Sequence, residues 1–140
     1  MDKKILAFLH KDRVAVLSVP LEDGAPHAAT MHYSFSEEPL TFYFQTSDDT
    51  EKVKAVGRKT VKAAVVIGFS EADWLTLQMR GPVCAMTDPM ELETVYKIHY
   101  AKQPQAEKYK GPHSVFLKFT PNWWRFTDFN TDPETIIHGS

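Results

Sequence analysis

The sequence predicts a mainly β protein, a small antiparallel barrel with helical caps. Three observations carry that prediction. Apolar residues recur with a period of two in six or seven short runs. The first three runs are joined by turns too short for the crossovers that parallel strands require. Helical spacing is confined to the two ends of the strand series and the gaps within it. With 140 residues against a usual 100–200 or so per domain, the chain is expected to form one domain, residues 1–140.

Asp2 offers an N-cap, and Ile5, Leu6, Phe8 and Leu9 share one helical face, which predicts a short helix ending near Asp12. From Arg13 to Val19 the period changes to two. Val14 and Val16 face one way, Ala15, Leu17 and Val19 the other, the pattern of a strand covered on both faces. Asp23-Gly24 marks a turn, and Ala28 to Phe35 reads as the second strand. Glu37-Glu38-Pro39 leads into a third, where Leu40, Phe42 and Phe44 alternate with Thr41, Tyr43 and Gln45. After a break from Thr46 to Glu51, Lys52 to Lys59 suits a helix, and the β-branched run Val61 to Ile67 a fourth strand.

Trp74 to Arg80 alternates strictly. Leu75, Leu77 and Met79 point inward, and Gly81-Pro82 is expected to bend or bulge the strand before it continues to Met86. Asp88-Pro89-Met90-Glu91 combines an N-cap, a proline at the first helical position and a capping-box glutamate. Leu92, Val95, Tyr96 and His99 then fall at i, i+3, i+4 and i+7, which predicts a helix. Beyond Gln103-Pro104 the chain reads as polar and broken. Val115 to Thr120 and Trp123 to Phe129 complete the strands.

Composition narrows the function. Lys and Arg total 16 and Asp and Glu 18, a net charge of -2, which argues against a general nucleic-acid binder but leaves room for a local cationic pocket. The lone Cys84 cannot form an internal disulfide and reads as a buried, inert thiol. No apolar run is long enough to span a membrane, so a cytoplasmic protein is expected. The six histidines show no HxH or HxxxH pairing, so no metal site is predicted. His99 reads as a satisfied core imidazole. GxSxG, GxGxxG and GxxxxGK[ST] are all absent.

The stretch Phe42-Tyr43-Phe44-Gln45-Thr46-Ser47-Asp48-Asp49-Thr50-Glu51-Lys52 takes a strand into a helix start carrying hydroxyls and an ammonium. Free backbone N–H groups there suit a phosphate. Lys52, Lys54, Arg58, Lys59 and Lys62 follow with no acid among them. The same residues also suit plain caps and a solvated face, and Asp48, Asp49 and Glu51 could occupy the donors. Trp123-Trp124-Arg125 could stack on a planar ligand, with only one tryptophan free to do so because neighbours on a strand face oppositely.

In order and spacing, these features resemble the FMN-binding split barrels of the pyridoxamine 5'-phosphate oxidase-like family. The matching pieces are the first helix with Val14-Ala15-Val16-Leu17-Ser18-Val19, then Asp23-Gly24-Ala25-Pro26-His27 and the Phe42-to-Lys52 stretch, then Leu77-Gln78-Met79-Arg80-Gly81 and the segment Phe119 to Phe129. The resemblance implies a six- to seven-stranded antiparallel split β-barrel of Greek-key type with flanking α-helices. It also implies a homodimer holding FMN in clefts between subunits, and oxidoreductase chemistry on a small molecule. A non-catalytic module binding flavin, deazaflavin or haem on the same dimeric barrel is the alternative.

Thr50-Glu51-Lys52, with Thr46 and Ser47 upstream, matches the family's phosphate-holding hydroxyl-x-lysine pattern. Thr30, Met31, His32 and Tyr33 would run beside the flavin ring, with His32 and Tyr33 as candidate catalytic residues. Gln78 would meet the ring's polar edge, and Trp123 would be a further cofactor contact. Two features of the vitamin oxidases are missing. Ala28-Ala29-Thr30 stands where a phosphate-gripping arginine is expected, and no substrate-recognising arginine segment follows Asp128.

Overall fold

A computed structural model describes residues Met1–Ser140. Asp2 caps helix α1 (Lys3–Lys11) by accepting from the Lys4 N–H at 2.7 Å. Strands β1 (Val14–Pro20), β2 (Pro26–Glu37) and β3 (Leu40–Ser47) form the expected antiparallel meander. Helix α2 (Glu51–Val56) follows, then β4 (Val61–Ile67), β5 (Leu75–Ala85), helix α3 (Pro89–Lys102), a 3-10 helix (Pro104–Tyr109), β6 (Ser114–Phe119), β7 (Trp123–Asp128) and β8 (Thr135–Gly139).

The strand order is β4-β1-β2-β3-β6-β5-β7-β8, and a β4–β5 ladder closes the first six into a barrel. The alternating residues Ala15, Leu17 and Val19, with Tyr33, Phe42, Phe44, Leu77, Met79 and Phe119, fill its interior. Phe8 of α1 packs edge-on against Phe126, so this helix plugs one end of the barrel. Helix α3 lies outside, over Tyr43, Met86 and Phe116. At its end Lys102 donates to the carbonyls of Leu9, His10 and Asp12 and holds the C-terminus of α1.

The barrel splits where β5 changes partners. Along one edge β5 pairs with β4 from Ile67↔Leu77 to Val61↔Val83. Along the other it pairs with β6 at Val83↔Phe119 and with β7 from Arg80↔Trp123 onward. Two β5 residues, Gly81 and Pro82, therefore face three, Thr120 to Asn122. The extra residue lies at the β6–β7 junction, and β5 continues through Gly81-Pro82 to Ala85. A Cβ at Gly81 would lie 2.3 Å from the Thr120 carbonyl oxygen, so only glycine admits this approach.

Other expectations are corrected too. The β1 face carrying Val14 and Val16 is not covered within the chain; these side chains are 40% and 38% exposed, and Val66 beside them is 36% exposed. Glu91 does not close a capping box; it accepts from Lys118 Nζ at 2.9 Å, and Asp88 alone caps α3. The polar segment after Gln103 is a 3-10 helix. The chain adds a strand beyond the expected series: β8 is a five-residue edge strand, and Gly139 lets it lie against the Trp124 ring.

Candidate functional site

The β2–β3 ladder runs from Glu37↔Leu40 to Tyr33↔Phe44 and stops. Beyond it β2 continues with β1 alone, from Val14↔His32 to Pro20↔Pro26. β3 continues with β6 alone, from Gln45↔Phe116 to Ser47↔Ser114. The strands part, and the gap between them is a cavity of about 490 Å³. His32 lines it from β2, Gln45, Thr46 and Ser47 from β3, and Thr50 from the start of α2. His99, Gln105 and Lys108 close it from α3 and the 3-10 helix.

The hydroxyls here are linked. Thr50 Oγ1 donates to the Ser47 carbonyl at 3.0 Å and lies 3.3 Å from Thr46 Oγ1. Thr50 caps nothing through its side chain, and α2 has only six residues, so helix-end electrostatics contribute less than the sequence suggested. The nearby acids are engaged elsewhere: Asp48 with His113 at 3.0 Å and Glu51 with Lys54 at 3.6 Å. Lys52 stands off the cavity wall. It is 8% exposed and has neither a hydrogen bond nor a carboxylate partner, and burial pushes its ammonium below the usual lysine range. Its stem is buried while its unbonded Nζ keeps contact with solvent, and an unpaired ammonium two residues from Thr50 fits a phosphate group. The rest of the basic run disperses: Lys62 faces a different cavity, and Arg58 and Lys59 lie exposed in a turn.

His99 is 1% exposed, and its Nδ1 lies 2.7 Å from Ser34 Oγ. Burial, and secondarily the neighbouring His32, lower its pKa to about 4, so the imidazole is neutral at neutral pH. Gln45 Nε2 donates to Ser114 Oγ at 3.0 Å. Gln103, fully buried, holds the corner behind the gap. Its Nε2 donates to the carbonyls of Arg13 and Tyr33, and its Oε1 accepts from Arg13 and Gln105. Sequence reasoning missed the roles of His99 and the 3-10 helix. The apolar periodicity of α3 hid the first, and the polar composition after Pro104 hid the second.

The four residues nominated on β2 divide by face. Thr30 and His32 point outward, whereas Met31 and Tyr33 point into the barrel. Tyr33 is fully buried, its hydroxyl donates to the Leu9 carbonyl at 2.7 Å, and burial raises its pKa. That placement removes the Tyr33 side chain as a proton-transfer candidate and leaves His32.

Register places Thr30, Val16, Val66, Gln78 and Arg125 in one row across the outer face of β2-β1-β4-β5-β7. Ala28, Ser18, Ala64, Arg80 and Trp123 form the next row. Gln78 and Thr30 are three strands apart, roughly 14 Å, so one chain does not bring Gln78 to the gap. Trp123 faces outward under the Arg80 guanidinium, at 4.0 Å, while Trp124 packs against the core. Cys84 is half-buried, and no three His, Cys, Asp or Glu side chains converge to hold a metal ion. No helix is long and apolar enough to cross a membrane.

A family model described as pyridoxamine 5'-phosphate oxidase matches residues 1–128. No match was found among curated proteins. Among solved structures, a conserved hypothetical protein from Mycobacterium tuberculosis superposes with a TM-score of 0.74 at 16% identity, over 93% of this chain and 86% of that one. A pyridoxamine 5'-phosphate oxidase-related, FMN binding protein from Nostoc punctiforme gives 0.69 at 15% identity, over 95% and 86%. A heme binding protein from Mycobacterium smegmatis gives 0.75 at 14% identity, over 95% of this chain and 56% of that one. At these identities the likenesses establish the fold.

Proposed function

The chain belongs to the pyridoxamine 5'-phosphate oxidase family, and from that premise we propose that it is an FMN-binding flavoprotein, an oxidoreductase acting on a small molecule in the cytoplasm. The observation that carries this reading is the unpaired Lys52, two residues along the chain from Thr50, which lines the gap with the hydroxyls of Thr46 and Ser47. FMN brings a phosphate dianion, which would neutralise that ammonium and accept from the hydroxyls. When bound, the flavin supplies the hydride or electron transfer.

The protein's own part is to hold and orient the cofactor. The β2 edge from Pro26 to His32 has no partner on the β3 side, so it offers main-chain donors and acceptors along the ring. Thr30 and His32 flank that edge, and His32 would be the residue that passes a proton.

Gln78 and the exposed Val14, Val16 and Val66 support a homodimer. A second copy would cover the valines, and the partner's Gln78 would reach the flavin's polar edge across the interface. The substrate class departs from that of the vitamin oxidases: Ala28-Ala29-Thr30 carries no cation, and residues 129–140 contain no arginine or lysine.

The test is reconstitution. Protein incubated with FMN and desalted should retain one FMN per chain and run at twice the 16.0 kDa chain mass. Colourless, monomeric protein would refute the reading. Anaerobic NADH or NADPH should bleach the bound flavin; resistance to both marks a carrier. The likeness to a heme binding protein and the two histidines at the gap support haem as the second reading, which predicts a Soret band on haem addition.

A further inference from the structure

The His99 ring is held on several sides. It packs edge-on against Phe116, with ring centroids 5.1 Å apart, and against Tyr100 at 5.7 Å. Its Nδ1 lies 2.7 Å from Ser34 Oγ, and Ser34, fully buried, makes no other side-chain hydrogen bond. A neutral imidazole carries one N–H, and a hydroxyl sealed from water must donate or leave its proton unpaired. Ser34 therefore donates to Nδ1, and hydrogen-bond accounting assigns the ring proton to Nε2.

That Nε2 has no partner in the chain, yet it is not sealed. The sealed and unpartnered side-chain atoms are Gln45 Oε1, Tyr100 Oη and Arg125 Nε. Nε2 is thus the part of a buried ring that opens on the β2/β3 gap, a fixed N–H donor without an acceptor.

The gap around it suits an anion. No Asp or Glu lines it. Lys108 of the 3-10 helix lines it directly, is exposed and forms no ion pair. His99 and Lys108 come from α3 and the segment after it, whereas the hydroxyls of Thr46, Ser47 and Thr50 come from β3 and the start of α2. A directed N–H bond and an ammonium together match the oxygens of a dianion. β2 has no cation at Ala28-Ala29-Thr30, and Lys108 supplies one from the other wall.

We propose that His99 Nε2–H and the Lys108 ammonium bind the phosphate of FMN from the α3 side of the gap, in place of a cation on β2. The proposal rests on the flavin reading and adds two residues outside Thr50-Glu51-Lys52. His99 gives direction and Lys108 gives charge. Ser34 is a positioning residue that holds the His99 tautomer.

Fluorescence titrations with FMN and with riboflavin, which keeps the ring and ribityl chain but lacks the phosphate, test it. Lys108→Met should weaken FMN binding several-fold and His99→Phe about tenfold, each leaving riboflavin affinity within twofold. His99→Gln, whose side-chain amide brings an N–H to the place of Nε2, should recover most of the FMN affinity. In the wild type, a long-range proton–nitrogen correlation spectrum should show His99 protonated on Nε2, with that signal moving further on FMN than on riboflavin. The spectrum and the exposed Lys108 keep the test decisive if His99→Phe fails to fold. A proton on Nδ1, equal losses of FMN and riboflavin, FMN affinity within twofold of wild type in either variant, or His99→Gln no better than His99→Phe would each overturn the proposal and leave the flavin reading standing. A wild-type chain that takes up no FMN would refute both.

Discussion

From Tyr33 to Glu37 β2 pairs with β3, and from Tyr33 to Phe35 it is buried on both faces. Tyr33 and Phe35 meet Phe42 inside the barrel, and Ser34 is sealed from outside by His99 of α3. From Pro26 to His32 the same strand pairs with β1 in place of β3, and its outward residues Ala28, Thr30 and His32 have no cover within the chain. One strand thus carries both the tightest part of the core and the open edge of the site. A binding edge is made by withdrawing a neighbour, and the exposed backbone is tolerated because the aromatic half anchors the strand.

The contrast makes graded predictions. Phe42→Ala, which removes the β3 ring opposite Phe35 of the half paired with β3, should cost about 3–5 kcal/mol in urea unfolding, whereas Thr30→Ala in the open half should stay within about 0.5 kcal/mol. Similar losses at both would break the comparison. A step smaller, burial of neutral His99 makes stability pH-dependent. Its native pKa of about 4 lies below the ordinary 6.5, so the unfolded chain binds more protons between those values. His99 therefore weighs nothing against the fold above pH 6.5, and stability falls toward pH 4 by at most about 3 kcal/mol. His99→Phe should flatten that slope in denaturation midpoints measured from pH 7 to 4.5.

Gln103→Leu, which strands the Arg13 and Tyr33 carbonyls behind the gap, should cost about 1–3 kcal/mol. The smallest effect belongs to the far end of the barrel, where Lys4 pairs with the buried Asp128. That lysine, with the Asn130 N–H, holds the Asp128 carboxyl near 2. Its contribution is complete above pH 3.8 and fades as pH falls toward 2. Because Lys4 is half exposed, Lys4→Met should cost no more than about 1 kcal/mol at pH 7.

The strand series was legible because period-two alternation and short turns are local, and the resemblance carried by Thr50-Glu51-Lys52 drew attention to the end of β3. What stayed hidden depends on contacts distant in sequence. Whether Val14 and Val16 are covered depends on what lies over β1, which alternation does not reveal. The inward turn of Tyr33 follows from pleat parity once register with Phe44 is set. The bulge at Thr120–Asn122 and the passage of Gly81 beside it need both strands at once. His99 looked like a core residue and is one, yet it also forms the back wall of the gap, because α3 lies across the point where β2 and β3 part.

The central claim is that this parting of β2 and β3 holds the flavin phosphate with Lys52 as its counter-charge. Its most direct measurement is an FMN titration followed by flavin fluorescence, on the wild-type chain and Lys52→Ala, each first shown to keep its native far-ultraviolet circular dichroism. The account predicts saturable binding by the wild type and at least tenfold weaker binding by the variant. FMN affinity unchanged by Lys52→Ala would contradict it.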